Sequence, residues 1–280
     1  MKLESQNIVL VGLPGSGKSL VAESLHRQFD CSVLDEQSVS VNNQYIEFTR
    51  PGIFEWLDLS HLPILSEQYF VYCVIDIRSV LLNHTHQWPQ QVLQQLLNLA
   101  DGVVFSFTEN SSLSDQAWWN QWLAQNSPLK RLPVVRLLNQ NLPKEFKGFE
   151  KQNNPILKKS EVETQSTQNK QWLPLTEVQC FDFYIERVML DHLLMVLDNA
   201  RQNLQTNITR VTGVVNTFEY QNLVQLEGTP YRWDTFAADQ SFCDDQKKHL
   251  DRDVKVGQIT VCGTGINQNW LAELIQACKV

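Results

Sequence analysis

The sequence predicts an α/β fold, a mostly parallel sheet with helices between its strands, followed by a smaller α+β domain. Three observations carry that expectation. The first half of the 280-residue chain alternates short apolar runs with helical stretches, as strands joined by crossover helices do. The runs are apolar throughout rather than alternating, which fits strands covered on both faces. The second half offers extended segments in succession with only two helical stretches, the layout of a small, mostly antiparallel layer.

Ile8 to Val11 read as the first buried strand, and Leu20, Val21, Leu25 and Phe29 form the apolar stripe of the helix after it. Cys31 to Leu34 give a short second strand ending on Asp35 and Glu36. Gln44 to Phe48 read as a third strand, closed by an Arg50-Pro51-Gly52 turn. Phe70 to Ile75, ending on Asp76, and Gly102 to Phe107 follow, with a shorter strand at Val134 to Leu137. Helical segments fall at Gln90 to Leu99 and Ser114 to Ala124. Ligands of such sheets bind beyond the carboxyl ends of the strands. Asp35, Glu47, Asp76 and Glu109 fall near or at those ends.

Residues 1–140 are thus expected as one domain and residues 141–170 as a polar, mobile linker rich in Lys, Gln, Asn, Ser and Thr. Residues 171–280 form the second domain. There Val178 to Ile185 read as a strand and Glu186 to Arg201 as a helix, followed by extended segments at Ile208 to Phe218 and Leu223 to Leu226. A strand from Gln258 to Cys262 and a helix from Gln268 to Ala277 close the chain, and Ala237 to Asp253 read as a surface loop.

With 42% hydrophobic and 19% charged residues the chain has the composition of an ordinary globule. Its net charge of -8 argues against broad affinity for nucleic acid or anionic membrane. No charged-then-apolar leader and no run of eighteen apolar residues occurs, so a cytoplasmic protein is expected. The six cysteines lie far apart without a C-x-x-C pair, and reduced, buried thiols are expected. Trp118, Trp119 and Trp122 read as the packed face of a helix in preference to a partner surface. His84 and His86 read as a solvated loop, since no further metal ligand stands near them.

The run Gly12-Leu13-Pro14-Gly15-Ser16-Gly17-Lys18-Ser19 fits the phosphate-loop pattern G-x-x-x-x-G-K-[ST], and it joins the first strand to the first helix. In that setting the loop from Gly12 through Leu20 surrounds a di- or triphosphate at a helix N-terminus with backbone N–H groups, Pro14 excepted, and Lys18 adds an ammonium. Lys18 is the expected bridge to the β and γ phosphates and Ser19 the expected magnesium ligand. Glu47 or Asp76 is expected to hold a magnesium-bound water, with Glu47 the first choice; a solvated strand end is the alternative for both. Asp35 and Glu36 read as a polar turn ahead of a γ-phosphate switch. Arg50 fits a charge-neutralising role or a plain turn equally.

The order of these pieces resembles the CobW-like family of P-loop GTPases, which includes metallochaperones and metal-insertion proteins. The C-terminal segments Ile208 to Val215, Leu223 to Gly228 and Ile259 to Ile266 carry the more distinctive part of the likeness, and the resemblance fails in the linker. It implies binding of GTP with Mg2+ and slow or partner-stimulated hydrolysis, with a protein client engaged through the second domain. It also implies that Ile46-Glu47-Phe48 faces magnesium and that Val74-Ile75-Asp76 is the family's Val-Asp-Ala strand end. Two departures stand out. The Cys-x-Cys-Cys metal motif is missing between Asp35 and Ile46, and Ser106-Phe107-Thr108-Glu109 replaces Asn-Lys-x-Asp at the base. Glu109 retains an acceptor for guanine nitrogens and Phe107 a stacking surface, so GTP or ATP both remain open. A non-catalytic nucleotide-sensing adaptor and a small-molecule kinase are the other readings, the last disfavoured by a first domain poor in Arg.

Overall fold

The computed structural model describes residues 8–13, 15–29, 32–33, 52–55, 69–78, 80–81, 87–126, 131–151, 179–202, 206–229, 232–238 and 255–280. The chain divides into two compact units, Met1–Thr176 and Glu177–Val280.

In the first unit, six parallel strands pair in the order β2-β3-β1-β4-β5-β6. They are β1 (Ile8–Val11), β2 (Ser32–Val33), β3 (Gly52–Glu55), β4 (Phe70–Asp76), β5 (Gly102–Ser106) and β6 (Val134–Arg136). Helices α1 (Lys18–Phe29), α2 (Gln87–Leu99) and α3 (Leu113–Asn126) lie between them in sequence. Every residue of β1 is buried, so this strand, which ends at the phosphate loop, is covered on both faces. Ile8, Leu10, Tyr72, Val74 and Val104 pack with Val21, Ala22 and Leu25 of α1 on one face. On the other, Val9, Val11, Cys73, Val103 and Phe105 are equally buried. Trp119 and Trp122 of α3 are buried, as their helical spacing predicts.

A serine capping box starts α3. Ser112 Oγ accepts from Asp115 N at 3.1 Å, and Asp115 Oδ2 accepts from Ser112 N at 3.3 Å. Ser112→Ala is expected to lower stability by about 1 kcal/mol, with unfolding in urea as the measurement and an unchanged midpoint as the contrary result.

Four features differ from the sequence expectation. The strand beside β1 is Gly52–Glu55, in register with Ile8 to Leu10, where a turn closing the third strand was expected; residues 44–48 lie outside the described residues. The start of the polar stretch, 141–151, packs onto the first unit: Leu142 and Phe149 are buried in the α1 face of its core. Phe149 meets Tyr72 edge-on with ring centroids 4.6 Å apart, and its N–H donates to the Tyr72 hydroxyl at 3.2 Å. Gly102 makes room for it, since a Cβ there would lie 2.4 Å from the Phe149 ring. Lys151 then pairs with the buried Asp101 at 3.1 Å. Two aromatic residues and a lysine dock this segment, and a composition average over thirty polar residues hides them.

In the second unit β7 (Gln179–Tyr184), β8 (Asn207–Val215), β9 (Leu223–Thr229), β10 (Arg232–Ala238) and β11 (Gln258–Thr264) form an antiparallel sheet in the order β10-β9-β8-β11-β7. Helices α4 (Leu190–Gln202) and α5 (Gln268–Gln276) supply Leu193, Leu197, Leu271 and Ile275 to a core that also takes Phe183, Val211, Leu226, Ile259 and Val261. Alternation along β11 leaves Thr260 and Cys262 on the opposite side of the sheet from Ile259 and Val261. β10 was not foreseen; its residues 235–237 are exposed, and an edge strand with so little burial has weak periodicity.

The fourth difference concerns the thiols. Cys73 and Cys278 are free and buried as expected, but Cys180 and Cys262 form a disulfide across β7 and β11. The strand register sets these two residues directly opposite each other, although 82 positions separate them in sequence. Cys31 and Cys243 lie outside the described residues.

Candidate functional site

β1 delivers the chain to Gly12 at the carboxyl edge of the first sheet, and α1 begins at Lys18. The turn between them closes with Ser16 N donating to Leu13 O at 3.1 Å. Gly15 and Gly17 have φ of 76° and 86°, the left-handed region that side chains disfavour. A Cβ on Gly12 would stand 2.4 Å from Val74 O and 2.6 Å from Ser16 Oγ, and one on Gly17 would stand 2.9 Å from Phe107 Cε2. The glycine positions of the motif are therefore set by close approach of β4 and of the residue after β5. Pro14 lies outside the described residues.

Lys18 is 3% exposed, yet its ammonium has carbonyl partners of its own loop: Nζ donates to Leu13 O at 3.2 Å and Gly12 O at 3.4 Å. Its field also reaches β4, where burial pushes the Cys73 thiol up to about 12 against the opposing pull of Lys18. Ser16 Oγ is buried and finds no hydrogen-bond partner among the described residues. An orphaned hydroxyl, an ammonium folded over carbonyls and a helix N-terminus with no acidic residue in its first turn all fit an anion with several acceptor oxygens. Ser19, on that first turn, is exposed, and Leu20 packs partly against the core below.

Ser106, the last residue of β5, ties the loop to the sheet: its hydroxyl contacts Ser16 O at 2.6 Å and Ile75 O at 3.1 Å. Beyond it Phe107 has φ 55° and ψ 36°, a left-handed conformation unusual for an aromatic residue. Its ring lies between Gly17 and Arg78, whose guanidinium carbon sits 3.7 Å from the ring centroid. Arg78 in turn grips Asp76. Nη2 donates to Oδ2 at 2.7 Å and Nε to Oδ1 at 2.9 Å, while the Arg78 backbone N–H donates to Oδ1 at 3.0 Å. Both side chains are nearly sealed, 8% and 0% exposed. The strand-end carboxylate that the sequence marks for a magnesium-bound water thus has both oxygens engaged by Arg78.

Glu109, expected at the base, is exposed and accepts from the backbone N–H of Asn139. Asn139 and Gln140 are the left-handed pair of a tight turn, φ 47° and 58°, closed by reciprocal Leu138–Asn141 backbone bonds at 2.8 and 2.9 Å. Arg27 of α1 donates to Gln140 O at 3.0 Å, so the helix behind the phosphate loop also holds this turn.

Lys18, Ser16, Ser106, Phe107, Arg78 and Asp76 consequently form one connected cluster with the loop. Glu47, Asp35, Glu36, Arg50, His84 and His86 lie outside the described residues. Arg78 and the 138–141 turn were missed; Asp76-Ile77-Arg78 alone carries no motif, and the turn has no glycine to announce it.

No protein-family model and no curated protein matches the chain. Among the solved structures that align with it are two of the YjiA GTPase in Zn(II)-bound form. One, from E. coli, is 11% identical, with 98% of each chain covered and a TM-score of 0.32. The other, a triple mutant, is also 11% identical, with 98% of this chain and 99% of that one covered and a TM-score of 0.33. Likeness at that level transfers no activity, metal or residue role.

Proposed function

We propose that this chain is a nucleotide-binding protein of the CobW-like GTPase kind, binding GTP or ATP through Gly12, Gly15, Ser16, Gly17, Lys18 and Ser19. The buried Ser16 hydroxyl, which has no partner among the described residues and shares its loop with the buried Lys18, carries the reading, because phosphate oxygens entering the loop would give it an acceptor. Magnesium bound with the nucleotide would neutralise charge on the transferred phosphoryl group. Ser19 is the side chain proposed to hold it, and Glu47 the proposed partner of a magnesium-bound water. Phe107 supports the loop from below, and Glu109 marks the end where the base would be read. The second domain would serve a protein client.

A second reading, a nucleotide-sensing adaptor without turnover, is favoured by Asp76, whose carboxylate is committed to Arg78. One measurement separates the two. Calorimetric titration of GTP and ATP with and without magnesium should show saturable, magnesium-dependent binding. Phosphate release above that of Lys18→Ala favours the GTPase, and binding without release favours the adaptor. No binding of either nucleotide would end both readings.

A further inference from the structure

Cys180 and Cys262 differ from the other described thiols in their exposure and in their surroundings. Cys180 is exposed and Cys262 half-buried, whereas Cys73 and Cys278 are buried and have their pKa raised by that burial. The pair crosses from β11 to β7, the outer strand of its sheet. Thiol–disulfide exchange needs a thiolate to approach one sulfur in line with the bond to the other. In-line attack on Cys180 therefore comes from outside the sheet edge. In-line attack on Cys262 would come across β8, where Arg210 stands opposite Cys262 in register. Arg210 is an ion-pair partner of Glu227 of β9, so its charge is already paired and its side chain reaches across the strand that such an attack would have to cross.

We infer that the Cys180–Cys262 pair is an exchange site for low-molecular-weight thiols, with Cys180 accepting the adduct and Cys262 acting as leaving and resolving thiolate. In the first step the small thiolate bonds to Cys180 Sγ, the Cys180–Cys262 bond breaks, and its electron pair leaves on Cys262 Sγ. A second small thiolate then attacks the small-molecule sulfur of the mixed disulfide and releases Cys180 as thiolate. Two small thiols are oxidised to one disulfide, the protein disulfide is reduced by two electrons, and the two thiol protons pass to the protein sulfurs. Five further register pairs join β7 to β11, from Gln258–Tyr184 to Gly263–Gln179, so exchange leaves the strands paired. The inference is independent of the nucleotide reading, since every group it uses lies in the second unit.

The full chain, purified without reductant, is incubated with reduced glutathione, quenched in acid, alkylated and mapped by peptide mass spectrometry. Glutathione is expected on Cys180 with Cys262 free, forming at least tenfold faster than Cys73 or Cys278 is alkylated in the folded protein. Cys262→Ser has no disulfide to open, so it is treated instead with oxidised glutathione. That leaves one glutathione on Cys180 Sγ and releases the other as thiol. Once excess small molecule is removed the adduct should persist, because no neighbouring protein thiolate is left to expel it. Adduct on Cys262 in place of Cys180 overturns the assignment, as does a disulfide that opens only in denaturant. Free thiols at both positions that oxidised glutathione does not close overturn it as well. If Cys262→Ser does not fold, the position of the adduct in the unmodified sequence decides alone.

Discussion

Lys18→Ala is expected to abolish triphosphate binding while leaving the fold in place. A charge-assisted contact to phosphate in a desolvated loop contributes about 3 kcal/mol, on the order of a hundredfold in Kd. The free protein stands to lose far less. There the ammonium is 3% exposed, and its bonds to Leu13 O and Gly12 O, at 3.2 and 3.4 Å, are long ones. Holding a charge on neutral acceptors at that depth recovers only part of its desolvation. Removing it should therefore shift the unfolding midpoint by less than ~1 kcal/mol in either direction. Isothermal titration of GTP and ATP, paired with urea unfolding, reads both quantities on one preparation. Undiminished affinity in the variant would show that this loop does not hold the phosphates. A collapse in stability of several kcal/mol would show Lys18 to be structural, and the binding loss would then say nothing about the site.

The sequence made the parallel sheet legible because buried strands announce themselves. Phe70 to Asp76 and Gly102 to Ser106 are apolar runs with a single role, and no other element competes for them. The phosphate loop was legible for a related reason: Gly12 faces the β4 backbone, Gly17 faces the Phe107 and Ser106 side chains, and Gly15 and Gly17 have positive φ, demands that glycine meets best. Elements whose stability comes from partners far away in sequence were not legible. Phe149 docks against Tyr72 from 77 positions away, and Cys262 meets Cys180 only once β7 and β11 pair. β3 fell where Pro51-Gly52 reads as a turn, and its placement is set by the register of β1. The candidate site divides the same way. Its phosphate half is local sequence, while Arg78, Phe107 and Asn139 reach it from three different strand ends, each through one tertiary contact.

Arg78→Ala is expected to destabilise the first unit by about 3–5 kcal/mol, because it strands a carboxylate that has no exposure of its own. The guanidinium supplies Asp76 with two near-parallel donors at 2.7 and 2.9 Å, and its plane covers the Phe107 ring at 3.7 Å. Truncation removes both, leaving the backbone N–H of residue 78 as the remaining donor described for Asp76. It also opens a void beside a ring that packs on Gly17 of the phosphate loop. Replacing both partners with apolar groups of similar size, Asp76→Leu with Arg78→Met, removes the charge along with its counter-charge and should cost less than Arg78→Ala alone. That inequality, measured by urea unfolding, isolates the stranded charge from the lost packing. Equal losses in the single and double variants would assign the effect to packing under Phe107. A single variant within ~1 kcal/mol of the unmodified chain would mean that water reaches Asp76, and that this carboxylate is then available to the magnesium side of the site.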